Sequence, residues 1–200
     1  MIINHNKKYV FVHIHKTAGT SISINMLKSG GIKYKNKHSF ITELENEYKN
    51  YFKFSFVRNP WDRLVSWYNM FLNLKVSNDF SKYVLNNSKN FSEFLNLTEI
   101  IVEKIGHDNP NGEYYPKSIS FNQLDYLTNK EGNINVDFIG RYENINDDYR
   151  NISTKLNISL DLECRNKFNH DHYRTYYSDS DAEKVYHMYK RDIDYFGYEF

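Results

Sequence analysis

The sequence predicts a three-layer α/β fold, in which helices cover both faces of a central parallel sheet. Short β-type runs alternate with amphipathic helical patterns, beginning with a strand near residues 9–14 and a helix that ends near Ser29. With 40% hydrophobic residues, the 200-residue chain can bury one substantial core, and its composition shows no linker or internal repeat. We therefore expect one domain over residues 1–200, with ligands bound at the carboxyl ends of the strands.

The remaining elements continue this alternation, with turn-forming and capping residues between them. The Gly30–Gly31 pair closes the first helix, and Asn59 with Pro60 opens a later one. Such an order is typical of a parallel sheet built from strand–helix–strand units. In the chain we expect strands near 32–34, 52–57 and 136–139, and helices over 39–48, from 60 onward, within 79–105, over 146–156 and from about 180 to 196.

The first strand runs into a turn that is typical of an anion site. Backbone N–H groups at a helix start bind anions, and the positive end of the helix dipole favours negative charge. Lys16 adds a cationic charge, and Thr17, Thr20 and Ser21 add hydroxyl donors. The alternative is an ordinary strand-to-helix turn with a solvated lysine.

The position of the lysine separates this turn from the common loop that binds nucleotide triphosphates. That loop ends in Gly-Lys followed by Ser or Thr, whose hydroxyl binds magnesium. Here Lys16 precedes Gly19 by three residues, and the chain contains no Gly-Lys-Ser/Thr. A magnesium-dependent ATPase or kinase is therefore the weaker interpretation.

A second candidate anion site follows the predicted strand over 52–57. Arg58 stands at the carboxyl end of this strand, and Ser66 lies on the polar side of the next helix. A guanidinium group binds phosphate oxygens bidentately and keeps its charge at any physiological pH. Arg58 with Ser66 thus suits a second phosphate, and the alternative is a structural ion pair of Arg58 with Asp62 or Glu43.

Residues 15–21 and 58–66 resemble the two nucleotide-binding motifs of the carbohydrate-type sulfotransferases, sulfotransferase family 2. These enzymes use 3′-phosphoadenosine 5′-phosphosulfate (PAPS). Their first motif, usually Pro-Lys-Thr-Ala-Gly-Thr-Ser, binds the 5′-phosphosulfate, and their second, Arg-Asn-Pro-Trp/Tyr-Asp-Arg-Leu-Val-Ser, binds the 3′-phosphate. This chain departs from the pattern at His15, where proline is usual. Further matches lie at 37–39, 136–144 and 173–198.

The resemblance implies a minimal bacterial sulfotransferase with the P-loop nucleotide-hydrolase-like fold of that family. Residues 73–120 match the family only vaguely, so we expect the acceptor to be recognised there. The acceptor class implied is a carbohydrate or glycoconjugate hydroxyl. The residues expected to bind PAPS are Lys16, Thr17, Ala18, Gly19, Thr20, Ser21, Arg58, Ser66 and Arg174.

The reaction needs a base, because a sugar hydroxyl attacks sulfur poorly while it keeps its proton. His38 follows the second predicted strand and matches the catalytic histidine of the family, and an imidazole accepts a proton at neutral pH. We expect Lys16 to act with it by stabilising the departing phosphate, so that no metal is needed. The alternative is that His38 only decorates a helix start.

Composition limits the partners. A formal charge of +1 predicts no general affinity for nucleic acid or an anionic membrane, and no apolar run approaches the ~20 residues of a membrane helix. One cysteine, Cys164, excludes an intrachain disulfide, and we assign it no role. We expect a cytoplasmic enzyme without a leader. One expected site of action is the inner face of the membrane, with envelope glycan precursors as acceptors.

Two other function classes stay open at this point. One is a magnesium-dependent, nucleotide kinase-like phosphotransferase, and the other is a nucleotide- or glycan-binding module without catalysis. A zinc site that includes His170 and His172 is a weak interpretation, because zinc takes three or four ligands and Cys164 is the one thiol in the chain. The oligomeric state is left open by the sequence.

Overall fold

The computed structural model of the chain describes residues 1–73, 79–105, 117–159, 162 and 171–200. The chain divides into two compact units. The first unit comprises residues 1–58 and 123–167, and the second comprises residues 59–122 and 168–200.

The first unit contains the sheet. Its strands are β1 (Ile2–Asn4), β2 (Tyr9–Val12), β3 (Ile32–Lys33), β4 (Phe52–Val57) and β5 (Phe138–Arg141). Its helices are α1 (Gly19–Lys28), α6 (Gln123–Leu127) and α7 (Ile145–Leu156), with 3-10 turns at Ile41–Glu43, Asn46–Tyr48 and Tyr142–Asn144.

The described part of the second unit is helical. It contains α2 (Pro60–Asn73), α3 (Asp79–Asn87), α4 (Phe91–Ile105), α5 (Lys117–Ser120), α8 (Asp179–Met188), α9 (Lys190–Phe196) and a 3-10 helix at Tyr173–Tyr176. In the described ranges of both units, no helix combines the length and the apolar character that crossing a bilayer requires.

The strands of the sheet lie in the order β3-β1-β2-β4-β5. The three strands β2, β4 and β5 are parallel, with Val12 opposite Ser55 and Val57 opposite Arg141. All four residues of β2 are buried, as expected for an apolar strand with both faces covered. The carboxyl ends of β2 and β4 therefore open on the same edge of the sheet.

The core of the first unit packs the sheet against α1 and α7. Phe11 and Phe54 from the sheet are fully buried with Ile22 of α1 and Ile152 of α7. Gly140 belongs to this close packing, because a Cβ at that position would overlap the ring of Phe56. Burial of this kind fixes the strand ends from which the candidate site projects.

The predicted α/β class and the parallel strands at the middle of the sheet are confirmed. The prediction that the strand near 32–34 extends the parallel sheet is wrong. The chain forms a short β1 that the sequence analysis did not predict, and β3 pairs antiparallel with it at the edge of the sheet.

The predicted helix over 39–48 is also wrong, because this segment forms two 3-10 turns. The carboxylate of Glu43 accepts hydrogen bonds from the Phe40 amide and the Ser39 hydroxyl, at 2.8 and 3.0 Å. These bonds close the first turn locally. Leu44 then takes an extended conformation with ψ of 129°, and the helical path ends there.

The last predicted helix is divided at Tyr189. Its backbone has φ of −122° and ψ of 29°, which interrupts the helix between α8 and α9. The ring is 1% exposed, and its hydroxyl donates to the Ile119 carbonyl at 2.5 Å. The interruption thus coincides with the burial of this tyrosine.

Candidate active site

The turn between β2 and α1 has an unusual backbone. Lys16 and Ala18 have φ angles of 68° and 62°, in the left-handed region that L residues rarely adopt. Each such residue costs on the order of 1–3 kcal/mol, and strain of this kind clusters at functional sites. Changes of backbone hand in a turn create a concave group of N–H donors that suits an anion.

The start of α1 supports the same electrostatics. Ala18 occupies the N-cap position and has no side chain that could satisfy the first helical amides, and the first turn of α1 contains no acidic residue. A ten-residue helix with an uncapped, acid-free start presents its positive end to the turn.

The hydroxyl groups of the turn have different surroundings. Thr17 is fully buried and donates to the Ile14 carbonyl at 3.1 Å, so that this hydroxyl holds the turn together. Thr20 accepts a contact from the Lys37 ammonium at 3.4 Å. Ser21 is buried at the start of α1. Lys37 is therefore a second cation beside the turn, which the sequence analysis did not single out.

The two cationic motifs, residues 15–21 and 58–66, contact each other at Lys16 and Arg58. A guanidinium nitrogen of Arg58 donates to the Lys16 carbonyl at 3.3 Å. Burial, followed by the charge of Arg58, lowers the pKa of Lys16 from 10.5 to about 7. Burial thus disfavours the charged form of this lysine, and an anion bound nearby would favour it.

Arg58 is held from two sides within the first unit. The side chain of Gln123, fully buried, accepts from the Arg58 amide and donates to the Arg58 carbonyl, both at 2.8 Å. The Arg58 guanidinium lies 3.9 Å from the centre of the Tyr142 ring, a cation–π contact. Both partners were missed by sequence reasoning, and Tyr142 falls in the family match at 136–144.

His38 is oriented by a backbone hydrogen bond. Its Nδ1 lies 2.8 Å from the His13 carbonyl oxygen, which can only accept, so Nδ1 carries the proton. In the neutral ring, Nε2 is then the atom with the free lone pair. Burial is the main reason that the pKa of His38 falls from 6.5 to about 4, and Lys37 and the Met1 amine add to it. The ring is neutral at pH 7.

Three histidines form a cluster at the end of β2, which we call the histidine cluster: His13, His15 and His38. The His38 ring stacks on His15 with a centroid distance of 3.2 Å, and its centroid lies 4.4 Å from that of His13. His13 is 2% exposed and hydrogen-bonds to the Ser23 hydroxyl through Nδ1 at 3.0 Å. Burial holds the pKa of His13 well below its usual range.

Gly19 is required by this cluster. A Cβ at Gly19 would overlap the imidazole of His13, so the first residue of α1 must lack a side chain for the buried histidine to fit. The sequence analysis did not single out His13 as a site residue. Its importance depends on contacts with residues distant in the chain, which neither spacing nor periodicity reveals.

The structure places the predicted site residues in both units. Within the first unit, Arg58 contacts Lys16, and His38 stacks on the residue that directly precedes Lys16. Ser66 lies half-buried on α2, and Arg174 is exposed in the second unit with its guanidinium 5.7 Å from the Phe200 ring. The remaining predicted residues, 17–21, form the turn and the start of α1.

Some predictions fall on residues that the structure does not describe. Cys164 and His170 lie outside the described residues, as does part of the predicted acceptor region 73–120. His172 accepts the Arg174 amide through Nδ1 at 3.4 Å. Across the ranges that the structure does describe, no group of three or more His, Cys, Asp and Glu side chains is arranged to hold a metal ion.

The sequence model of the sulfotransferase family matches residues 1–199 of the chain. Both cationic motifs and the histidine cluster lie within this match. No curated protein matches the chain.

Proposed function

Because the chain belongs to the sulfotransferase family, we propose that it moves a sulfuryl group from PAPS to a hydroxyl of a carbohydrate or glycoconjugate. Membership of the family supports sulfotransfer in general. The identity of the donor and of the acceptor is what we propose. The main support is the sequence of contacts from His38 through His15 to the strained turn at Lys16. These contacts place a neutral imidazole next to a backbone turn whose N–H groups suit an anion.

The residues of the turn fit the phosphates of PAPS. The left-handed φ angles at Lys16 and Ala18, the uncapped start of α1 and the buried ammonium all favour negative charge. We assign the 5′-phosphosulfate to residues 16–21 and the 3′-phosphate to Arg58 and Ser66, with Arg174 as a further contact. When bound, PAPS supplies the sulfuryl group, whose bond to the phosphate oxygen breaks as a bond to the acceptor oxygen forms.

We assign the role of general base to His38. Nε2 accepts the proton of the acceptor hydroxyl, while Nδ1 keeps its hydrogen bond to the His13 carbonyl. The low pKa of His38 applies to the protein without ligand. Negative charge near the ring raises the pKa of an imidazole, so a bound anion makes His38 a stronger base.

Lys16 has a separate role at the leaving group. Charge grows on the phosphate oxygen as the sulfur–oxygen bond breaks, and the ammonium together with the start of α1 stabilises that charge. These groups are already held by the turn and need little rearrangement. The chain therefore supplies the base and the charge stabilisation from its own side chains and backbone.

Two further parts of the proposal concern the acceptor region and the compartment. We propose that residues 73–120 contribute to acceptor recognition, because they match the family least. We also propose a cytoplasmic reaction, since the chain has a single cysteine and can form no intrachain disulfide.

A transfer assay tests the proposed function. Purified protein is incubated with PAPS carrying labelled sulfate and a panel of glycans, and label on the glycan is the expected result. Calorimetry with the product 3′,5′-diphosphoadenosine (PAP) should show binding, with no requirement for magnesium. Turnover of ATP with magnesium would favour a phosphotransferase, and PAP binding without transfer to any acceptor would favour a binding module.

A further inference from the structure

The ring of His38 has one hydrogen bond, to the His13 carbonyl, and two ring contacts, of which the stack on His15 covers its face. The bond from Nδ1 to the His13 carbonyl fixes one ring atom, and small coupled changes of the two side-chain torsions can still pivot the ring about that atom. The His15 ring lies against the face of His38 at a 3.2 Å centroid distance, with 22° between the planes. A stacked ring at this distance blocks the pivot.

We propose that His15 is a positioning residue for His38. Its stacked imidazole holds the plane of the base, so that Nε2 keeps one direction, and it excludes water from that face of the ring. This inference rests on the proposed function, in which Nε2 takes the proton of the acceptor hydroxyl. It also gives a role to the position at which the chain departs from the family proline, which has no aromatic ring to stack.

The positive charges around His38 favour the neutral form of its ring. Lys37 and the Met1 amine act on His38 and disfavour its protonation, and the amine is itself influenced by Glu43. His13 lies at the edge of the ring and is held neutral by burial.

The test compares two substitutions that differ in the ring. His15→Ala removes the stack, and we expect turnover per bound complex to fall by about tenfold to a hundredfold, the usual effect of a small misplacement. His15→Phe restores a ring face without a titratable group and should recover most of that loss. PAP affinity, measured by calorimetry, should stay within about twofold in both variants.

The pH profile provides a readout that a merely structural role would not change. Removing the His15 ring lets water reach His38, so the pKa of His38 should rise from about 4 toward the ordinary value of 6.5. The acid limb of the rate profile then moves to higher pH in His15→Ala and stays in place in His15→Phe. His5→Ala is the matched control, since His5 packs near Tyr48 and Tyr51, away from His38.

Nitrogen NMR of labelled histidine gives a second readout that needs no activity. The wild-type ring should show the tautomer with the proton on Nδ1, and His15→Ala should show mixed tautomers with a raised pKa. If His15→Ala does not fold, His15→Leu removes the ring while keeping the bulk.

The outcomes separate this inference from the proposed function. Wild-type protein that transfers no sulfate but shows the expected NMR changes would end the proposed function and leave the positioning role intact. Active wild-type protein whose His15→Ala variant keeps the original acid limb and tautomer would overturn the positioning role alone. Equal losses in His15→Ala and His15→Phe would overturn it as well.

Discussion

Two turns of this molecule connect a parallel strand to a helix, and they satisfy the helix start in opposite ways. At the start of α1, Ala18 offers no capping side chain, and the backbone twists into left-handed conformations. At the start of α2, the Asn59 side chain accepts from the amides of Trp61 and Asp62, at 3.0 and 3.4 Å. The start of α1 therefore has no capping side chain, whereas Asn59 caps the start of α2.

Under the proposed function, the two turns bind anions through different atoms. The α1 turn presents backbone donors, strengthened by the Lys16 ammonium. The α2 turn contains an acidic residue, Asp62, in the first helical turn, which opposes an anion at the amides. Under the proposed function, its contribution to phosphate binding comes from the Arg58 side chain that precedes it.

The largest effect should come from His38, the proposed base beside the first turn. We expect His38→Ala to lower turnover by roughly 10² to 10⁴, the usual contribution of a positioned general base, while PAP affinity stays within about twofold. Transfer assays and calorimetry on the same preparation measure both. The control is His187→Ala, a histidine with 67% exposure on α8. Lost PAP affinity with normal turnover per complex would reverse the assigned roles.

Substitution of Arg58 tests whether the second turn binds phosphate through this side chain. We expect Arg58→Ala to weaken PAP binding by about tenfold to a hundredfold, because a charged hydrogen bond contributes about 1.5–3 kcal/mol. Arg58→Lys should recover part of the affinity, since it restores the charge without the bidentate fork. Arg150→Ala is the control, at an exposed arginine paired with Asp147. An unchanged affinity in Arg58→Ala would remove Arg58 from the phosphate site.

PAP affinity at the first turn should depend on pH, because Lys16 lies in that turn and titrates. The free protein has a Lys16 pKa of about 7, and bound phosphates favour the charged ammonium and raise it. Above pH 7 the complex therefore holds more protons than the free protein, so PAP affinity falls as the pH rises. We expect a loss of up to about tenfold per pH unit between pH 7 and 9.

Calorimetry in buffers with different ionisation heats measures this proton uptake directly. Lys16→Arg is the matched variant, because a guanidinium stays charged and should abolish the pH dependence over this range. The same lowered pKa makes the unfolded chain hold more protons above pH 7, so the free protein gains stability as the pH rises toward 10.5. A PAP affinity independent of pH would remove Lys16 from the site.

The parts of the fold that local patterns encode were predictable. Alternating β-type and amphipathic runs predicted β2, β4, α1 and α2 to within a few residues, and Lys16 and Arg58 were placed at strand ends. The antiparallel edge was not predictable, because β1 is only three residues long and forms by pairing with β2. Short strands are specified by their partners more than by their own sequence.

The long-range contacts of the site were also beyond sequence reasoning. Gln123 brackets the Arg58 backbone across 65 residues, and the His13 carbonyl orients His38 across 25 residues. No periodic pattern or motif in the sequence marks Gln123 or His13 for these contacts. His15 was visible only as a departure from a family motif, and its contact with His38 depends on how the segment 37–39 folds back.

The smallest effect should come from the cap of the second turn. We expect Asn59→Ala to lower the free energy of unfolding by about 0.5–2 kcal/mol, because the amides of Trp61 and Asp62 lose their acceptor. Asn59→Asp keeps the acceptor oxygen but loses the hydrogen bond from Nδ2 to the Glu199 carbonyl at 3.2 Å, so it should retain only part of the stability. Urea unfolding measures the loss, and PAP affinity should stay within about twofold, since these amides bind the cap and not the ligand. A large gain in PAP affinity in Asn59→Ala would mean that uncapping creates a second backbone anion site, and the contrast between the two turns would then depend on one side chain alone.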